Sequence, residues 1–520
     1  MKYFYIIDNI KVDPADSVFD FRKYVLDTYR AEIDSYRIDK KAIDARKKND
    51  IKIVYRIIIE MSVPLKNDGN YKNILAYDIP EPDKPVAEKR KGRILIVGAG
   101  PAGLFSALRL IEHGFKVCLI ERGKPVEERA SDISEMGRSG VLNTESNVLF
   151  GEGGAGTWSD GKLTTRINKP GIEWFFSRMV EFGAGEEILY DSKPHVGSDR
   201  LAFIVKNIRN YILESGSEIH FKEKVTEFIL GKDEILGVKT AGGGVFTGDS
   251  VILAAGHSAR DMYEYLNGIN VTMETKPFAA GCRVEHPREF INKAQYGRFA
   301  EVLPAADYRL VHNNRESGRG VFSFCMCPGG VVINSSSEPE MLCVNGMSYS
   351  DRNLKNSNSA VVVTVKKEDM ETAPLSGIGF QRQIEKAAYD ISSGSYYAPA
   401  CDLASFTGMK KSSFRISESS YQPGVYASDF RSILPGWMIN EIRQALLIFD
   451  RKIPGFIENG ILVGVETRTS SPVRILRNEN CESLSLKRLY SAGEGAGYAG
   501  GIVSSAVDGI KIADIIASEG

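Results

Sequence analysis

Four residues raise the first chemical question: Gly98, Gly100 and Gly103 in "VGAGPAG", and Glu121 in "CLIER". In a G-x-G-x-x-G run the first glycine permits a tight turn, the second lets backbone approach a pyrophosphate, and the third lets helix and strand pack closely. Pro101 suits the first turn of a helix. Its amino-terminal N–H groups then point at phosphates, with Ala102 beside them. Glu121 closes the next apolar run, where a carboxylate accepts from both ribose hydroxyls and would repel a 2′-phosphate, so NADP is disfavoured there. Arg122 follows directly. The chemistry is dinucleotide binding.

NAD and FAD share this adenosine half, and three later segments choose between them. "LFGEGGAGTWSDGKL" holds Gly153, Gly154, Ala155, Gly156, Thr157, Ser159, Gly161 and Lys162, a run in which bare backbone can meet a second large ligand surface. "DSVILAAGHSARD" is a strand ending in the small residues Ala254, Ala255 and Gly256. "LYSAGEGAGYAGGIVSSAVDGIKIAD" places Gly493 and Glu494 after a strand, and Gly500, Gly501 and Ile502 at a helix start. The positive end of that helix would favour the negative charge that a reduced flavin accumulates near N1 and the C2 carbonyl. FAD is the expected cofactor, held without a covalent bond.

Flavin chemistry also needs a placed substrate and one managed proton. His286 in "RVEHP" is a candidate acid or base, against a plain role as a bonded histidine on a surface turn. Arg468 and Arg474 in "ETRTSSPVRI" are candidate carboxylate clamps, against ordinary ion pairs to an acid such as Glu466. Tyr498 could stack near the flavin or fill a core. His257, after "AAG", is expected to be structural. Cys325 and Cys327 in "FCMCPGG" invite a redox reading, but a bridge between residues two apart closes a tight ring, so the preferred reading is small apolar filler.

These groups need elements to position them. Ile94 to Val97 is an apolar strand, and Leu104, Leu108 and Ile111 follow helical spacing. Residues 91–260 carry the dinucleotide unit, with helices expected in "GIEWFFSRMVEFGA" and "DRLAFIVKNIRNYILESG", and residues 476–520 return to it. Residues 261–475 read as an irregular inserted substrate domain with strand-like pieces such as "AVVVTV". Residues 1–90 form a small α+β domain that closes in the proline-bearing, charged linker "YDIPEPDKPVAEKRKGR".

Composition narrows the alternatives. With 66 Lys+Arg against 67 Asp+Glu, no global charge draws the 520-residue chain to nucleic acid or membrane. There is no apolar run long enough for a spanning helix. Seven cysteines without framework spacing fit a reducing compartment, so cytoplasm is the expectation.

The segments together resemble the FAD-binding fold of the glutathione-reductase type, where an "AAG" strand and a late "AGE" or "AGD" strand complete the site. More narrowly the chain resembles a family of bacterial FAD-dependent dehydrogenases, through "IDARKKNDIKIVY", "VEHP", "FCMCPGG", "NGMS", "NSNSA" and "ETRTSSP". The resemblance implies an α/β architecture: a Rossmann-like FAD-binding domain with an inserted α+β substrate domain and a small N-terminal α+β domain. It implies that Gly98, Gly100, Gly103 and Glu121 take the adenosine and pyrophosphate, that Val225 sits by the adenine, and that Glu494, in place of the commoner Asp, lies near the ribityl and pyrophosphate.

No second nucleotide-binding unit with its own G-x-G-x-x-G for NAD(P)H and no C-x-four-C pair are found after the first motif, which disfavours a simple disulfide reductase. Reducing equivalents would come from a small-molecule substrate, from NAD(P)H docking without its own Rossmann module, or from an electron-transfer partner. A flavoprotein that touches RNA is the other class considered, because residues 37–56 hold eight Lys or Arg against three Asp. The segment lacks interleaved aromatics, and nucleic acid is disfavoured.

Overall fold

The computed structural model describes residues 2–16, 18–65, 73–78, 92–165, 170–409 and 412–519. Most of the proline-bearing linker lies outside these residues.

Five parallel strands form the central sheet, in the order Leu489–Ser491, Ser250–Leu253, Arg93–Val97, Lys116–Ile120, Glu218–His220. The first four are short, largely buried apolar runs, the pattern that parallel sheets require, while Glu218–His220 is a more exposed edge strand. On one face the helices Pro101–Glu112 and Ile502–Glu519 pack together, and a Cβ at Gly509 would lie 2.3 Å from the Ala102 carbonyl oxygen. Only glycine permits that approach. On the other face a three-stranded sheet, Val225–Leu230, Ile235–Thr240 and Val245–Thr247, packs Val225 and Phe228 with Val97 and Ile120. The helices expected from periodicity are present as Ile172–Glu181 and Ser198–Glu214.

The inserted region is more regular than the sequence implies. Seven strands form one sheet in the order Val311–Asn314, Arg319–Cys327, Asn356–Val365, Phe278–Pro287, Ile461–Glu466, Ala398–Asp402, Val425–Ala427. Its two longest strands pair antiparallel from Phe278 with Val365 to Pro287 with Asn356. The polar stretch "NSNSA" disguised the second of them. Its Ser357, Asn358 and Ser359 are buried opposite His286, Glu285 and Val284, and the Arg283 guanidinium donates to Asn358 at 2.7 Å.

The N-terminal region is a four-stranded antiparallel sheet, Ser35–Asp44, Lys52–Met61, Tyr3–Val12 and Ile74–Ala76, with the helix Phe21–Tyr29 capped by Asp20, whose carboxylate accepts from Lys23 N–H. The hairpin between its first two strands reaches the inserted region, where Ile51 is fully buried in the hydrophobic core. Lys41 also bonds Tyr190 and Ser192 through backbone, both at 2.8 Å.

Candidate flavin-binding site

The turn after Arg93–Val97 is built by packing as much as by ligand demand. Gly98 has φ 107°, and a Cβ there would lie 2.4 Å from the Ala254 carbonyl oxygen. A Cβ at Gly103 would lie 1.9 Å from the Gly98 carbonyl oxygen. Gly100 is different: a Cβ there meets only Gly154 Cα, at 3.9 Å. That position opens into a cavity of about 820 Å³ between the central sheet and the inserted sheet.

Gly98, Gly100, Pro101 and Ala102 line the cavity with Glu121, Arg122 and Val225. The glycine-rich loop contributes Gly154, Ala155, Gly156, Ser159, Gly161 and Lys162. Ala254, Ala255 and Gly256 face it from the strand end, and Glu494, Gly500, Gly501 and Ile502 from the last strand and helix. The inserted region closes it with Tyr308, Arg309, Ser323, Phe324, Cys325 and Met326, of which the sequence drew attention only to "FCMCPGG". Four expected contacts serve as support instead. Gly103 packs helix on strand, Gly153 donates its N–H to Ala99 at 2.8 Å, the Thr157 hydroxyl donates to Glu152 at 3.3 Å, and Gly493 N–H donates to Asp508 at 2.8 Å.

Glu121 is buried, and its carboxylate accepts N–H bonds from Ala99 at 2.7 Å, Gly123 at 2.9 Å and Gly151 at 3.0 Å. A carboxylate accepts about four bonds, so acceptor capacity remains for a ribose hydroxyl. Arg122 pairs with Glu145 and Asp261 at 2.8 and 2.9 Å. The glycine-rich loop is held by a residue that no motif reveals. Arg129, fully buried, donates to the carbonyl oxygens of Asn147, Val148, Glu152 and Gly154 at 2.6 to 2.8 Å.

Three polar groups give the cavity its electrostatics. Lys162 is half-buried with its Nζ out of solvent contact; it makes an ion pair to Asp160 at 3.2 Å, and the Nζ has no hydrogen-bond partner. Burial opposes its charge, while Asp160 and the thiols of Cys327 and Cys325 favour it enough that its pKa is raised. Glu494 is pushed up to about 7, chiefly by burial. His257, expected to be structural, lines the cavity; burial, then Arg468 and Arg260, press it down to about 3, so its ring is neutral. Its Nδ1 also lacks a partner.

The three catalytic candidates lie elsewhere. His286 is fully buried between Phe290 and Phe456, Nε2 2.8 Å from the Phe456 carbonyl oxygen, and burial lowers it to about 4. It is neither on a surface turn nor at the cavity. Arg468 is buried and donates to Glu385 at 2.7 and 3.0 Å and to Ser337, while Glu466 belongs to Arg283. It is committed to a buried network. Tyr498, 40 % exposed, lies under the guanidinium of Arg477 at 4.0 Å and does not line the cavity. Arg474 pairs with Glu274 at 3.1 Å. In the basic N-terminal segment Arg46 pairs with Asp44, Lys52 with Asp13 and Asp50, and Arg56 with Asp8.

The donor set fits FAD: a glycine turn at a helix N-terminus, a carboxylate with spare acceptor capacity, and buried nitrogens without hydrogen-bond partners, Lys162 Nζ and His257 Nδ1. These features define a flavin-binding α/β oxidoreductase. Residues 92–270 match the family described as pyridine nucleotide-disulphide oxidoreductase, and residues 277–469 match the FAD-dependent protein C-terminal domain-like family. A Clostridium beijerinckii protein described as uncharacterized is 43 % identical over 523 residues, spanning 98 % of both chains. The chain belongs to this family of FAD-dependent oxidoreductases. Similar solved structures include CtdE in complex with FAD, at 12 % identity and TM-score 0.32 over 82 % of this chain and 84 % of that one. The glycine oxidase of Bacillus cereus is similar at 12 % identity and TM-score 0.33, over 83 % and 96 %. Among the described residues no helix is long and apolar enough to cross a membrane.

Proposed function

We propose that the cavity binds FAD non-covalently and that the enzyme transfers a hydride between the flavin and a small molecule or carrier placed against the inserted sheet. The observation that carries the reading is the convergence of the Gly100 opening, Glu121, Lys162 and the Gly500–Gly501 helix start on one cavity that also reaches Tyr308 to Met326. FAD supplies the redox step when bound. The protein's own groups do the rest: Glu121 and the helix at Pro101 grip, Lys162 holds positive charge at the wall, and Glu494, poised near neutrality, can hold or release a proton. The inserted sheet excludes water from one side. Anaerobic mixing of purified protein with NADH, NADPH and panels of small reductants, following the flavin absorbance, tests it. Bleaching by one class identifies the donor, and a protein that carries no FAD when purified and takes none up overturns the reading.

A further inference from the structure

The strand Arg319–Cys327 shifts register against Asn356–Val365 between Phe324 and Cys327, and at this bulge Cys325 takes φ 43°. A residue with a Cβ rarely adopts that left-handed conformation, and it persists where surrounding bonds over-determine it. Here the Cys325 carbonyl oxygen accepts from Arg283 Nη2 and from Cys327 Sγ, the latter at 3.3 Å. The result separates the two cysteines. Cys327 is fully buried, with Sγ 3.5 Å from Arg283 Nη2, whereas Cys325 is partly exposed and lines the cavity beside Met326. Filler describes Cys327 by burial; it does not describe Cys325.

The charges around the pair are equally uneven. The adjacent Cys327 side chain holds Cys325 well below the ordinary thiol range, helped by Lys162 and Arg283 and opposed by burial, while burial pushes Cys327 up. The cysteine favoured as thiolate lines the cavity and the one favoured as thiol is buried two residues along the same strand, an uneven pair of the kind that exchanges electrons readily.

Resting on the FAD assignment above, we propose that Cys325 and Cys327 are a redox-active dithiol through which thiols deliver an electron pair to the flavin. In the step, the Cys327 S–H bond breaks and a Cys325 Sγ–Cys327 Sγ bond forms. The electron pair and the Cys327 proton pass to oxidised FAD, which becomes the reduced anion. The disulfide is then reduced by an external dithiol, which is itself oxidised to a disulfide. This gives the chain an electron entry that needs no second nucleotide-binding module.

The test uses the FAD-bound protein and dithiothreitol. FAD content is measured first, because its absence would defeat the cofactor assignment and not the dithiol. With FAD bound, dithiothreitol should bleach the flavin anaerobically, and Cys325→Ser and Cys327→Ser should each slow bleaching by at least about tenfold at unchanged FAD content. Rates within about threefold of the parent overturn the proposal. A second readout needs no variant: after flavin turnover in air, two of the seven free thiols should be missing under denaturing conditions, and peptide mapping should place them at Cys325 and Cys327. Seven titratable thiols, or a pair elsewhere, overturn it equally.

Discussion

A Cβ placed on Gly100 would lie 3.9 Å from Gly154 Cα and meet nothing nearer, whereas one placed on Gly103 would lie 1.9 Å from the Gly98 carbonyl oxygen. The two glycines of one motif therefore serve different ends, and a matched pair of variants separates them. Gly100→Val should fold with the parent's circular dichroism and melting behaviour yet lose flavin, because its branched side chain fills cavity space and displaces no protein atom. Gly103→Val should fail to fold or melt far below the parent. Flavin retained in folded Gly100→Val would count against the placement of the pyrophosphate.

The cofactor released on denaturation should be FAD and not FMN. Glu121 and Val225 line the cavity, and in the proposed binding mode they take the adenosine, for which FMN has no counterpart. Chromatography of the supernatant after heat or acid decides it, and a Glu121→Ala variant should lose FAD while also loosening the turn whose three N–H groups it accepts.

What could be read from sequence was what is contiguous in sequence. The Gly98 turn, the Gly154–Gly156 loop and the Gly500–Gly501 helix start are local devices, and each lines the same cavity. The acid–base candidates were illegible because partners far along the chain decide what a His or Arg does. Arg468 is claimed by Glu385 on the helix Ser376–Ile391, and His286 by a carbonyl 170 residues away. Nothing in "VEHP" or "ETRTSSP" encodes those distances. The strand Asn356–Val365 begins in "NSNS", whose polar residues satisfy buried charge rather than follow an apolar alternation. The strand Ser35–Asp44 was hidden the same way, by the charges that drew attention to it as a patch.

Arg129 offers a test of how far the glycine-rich loop depends on one side chain. Its guanidinium satisfies four carbonyl oxygens between Asn147 and Gly154 with no exposed surface, and its pKa falls to about 9 through burial. Arg129→Met keeps much of the volume but leaves those acceptors unpaired. The expected cost is on the order of 3–5 kcal/mol in urea unfolding, with flavin affinity falling alongside. A loss of stability with flavin affinity unchanged would show that the loop is held by other means.

Glu494 gives the pH test. Its carboxyl is ordinarily near 4.5 and is pushed up to about 7, first by burial, with the Gly501 N–H and Lys276 working the other way. Between those values the folded chain binds a proton that the unfolded chain has released, so this residue's contribution to stability falls as pH rises from about 4.5 through about 7. Glu152 and Glu466 are also raised by burial, each to about 7, so the slope of the parent alone would not isolate Glu494. The comparison with Glu494→Gln does. In protein stripped of flavin, the parent should lose on the order of 1–3 kcal/mol more than the variant between pH about 5 and pH about 8, read from urea midpoints. Parallel curves would mean that Glu494 ionises as an ordinary carboxylate and is charged at neutral pH. That would remove it as the proton-holding group at the cavity wall and leave the neutral His257, whose ring lies 3.9 Å away, to be tested in its place.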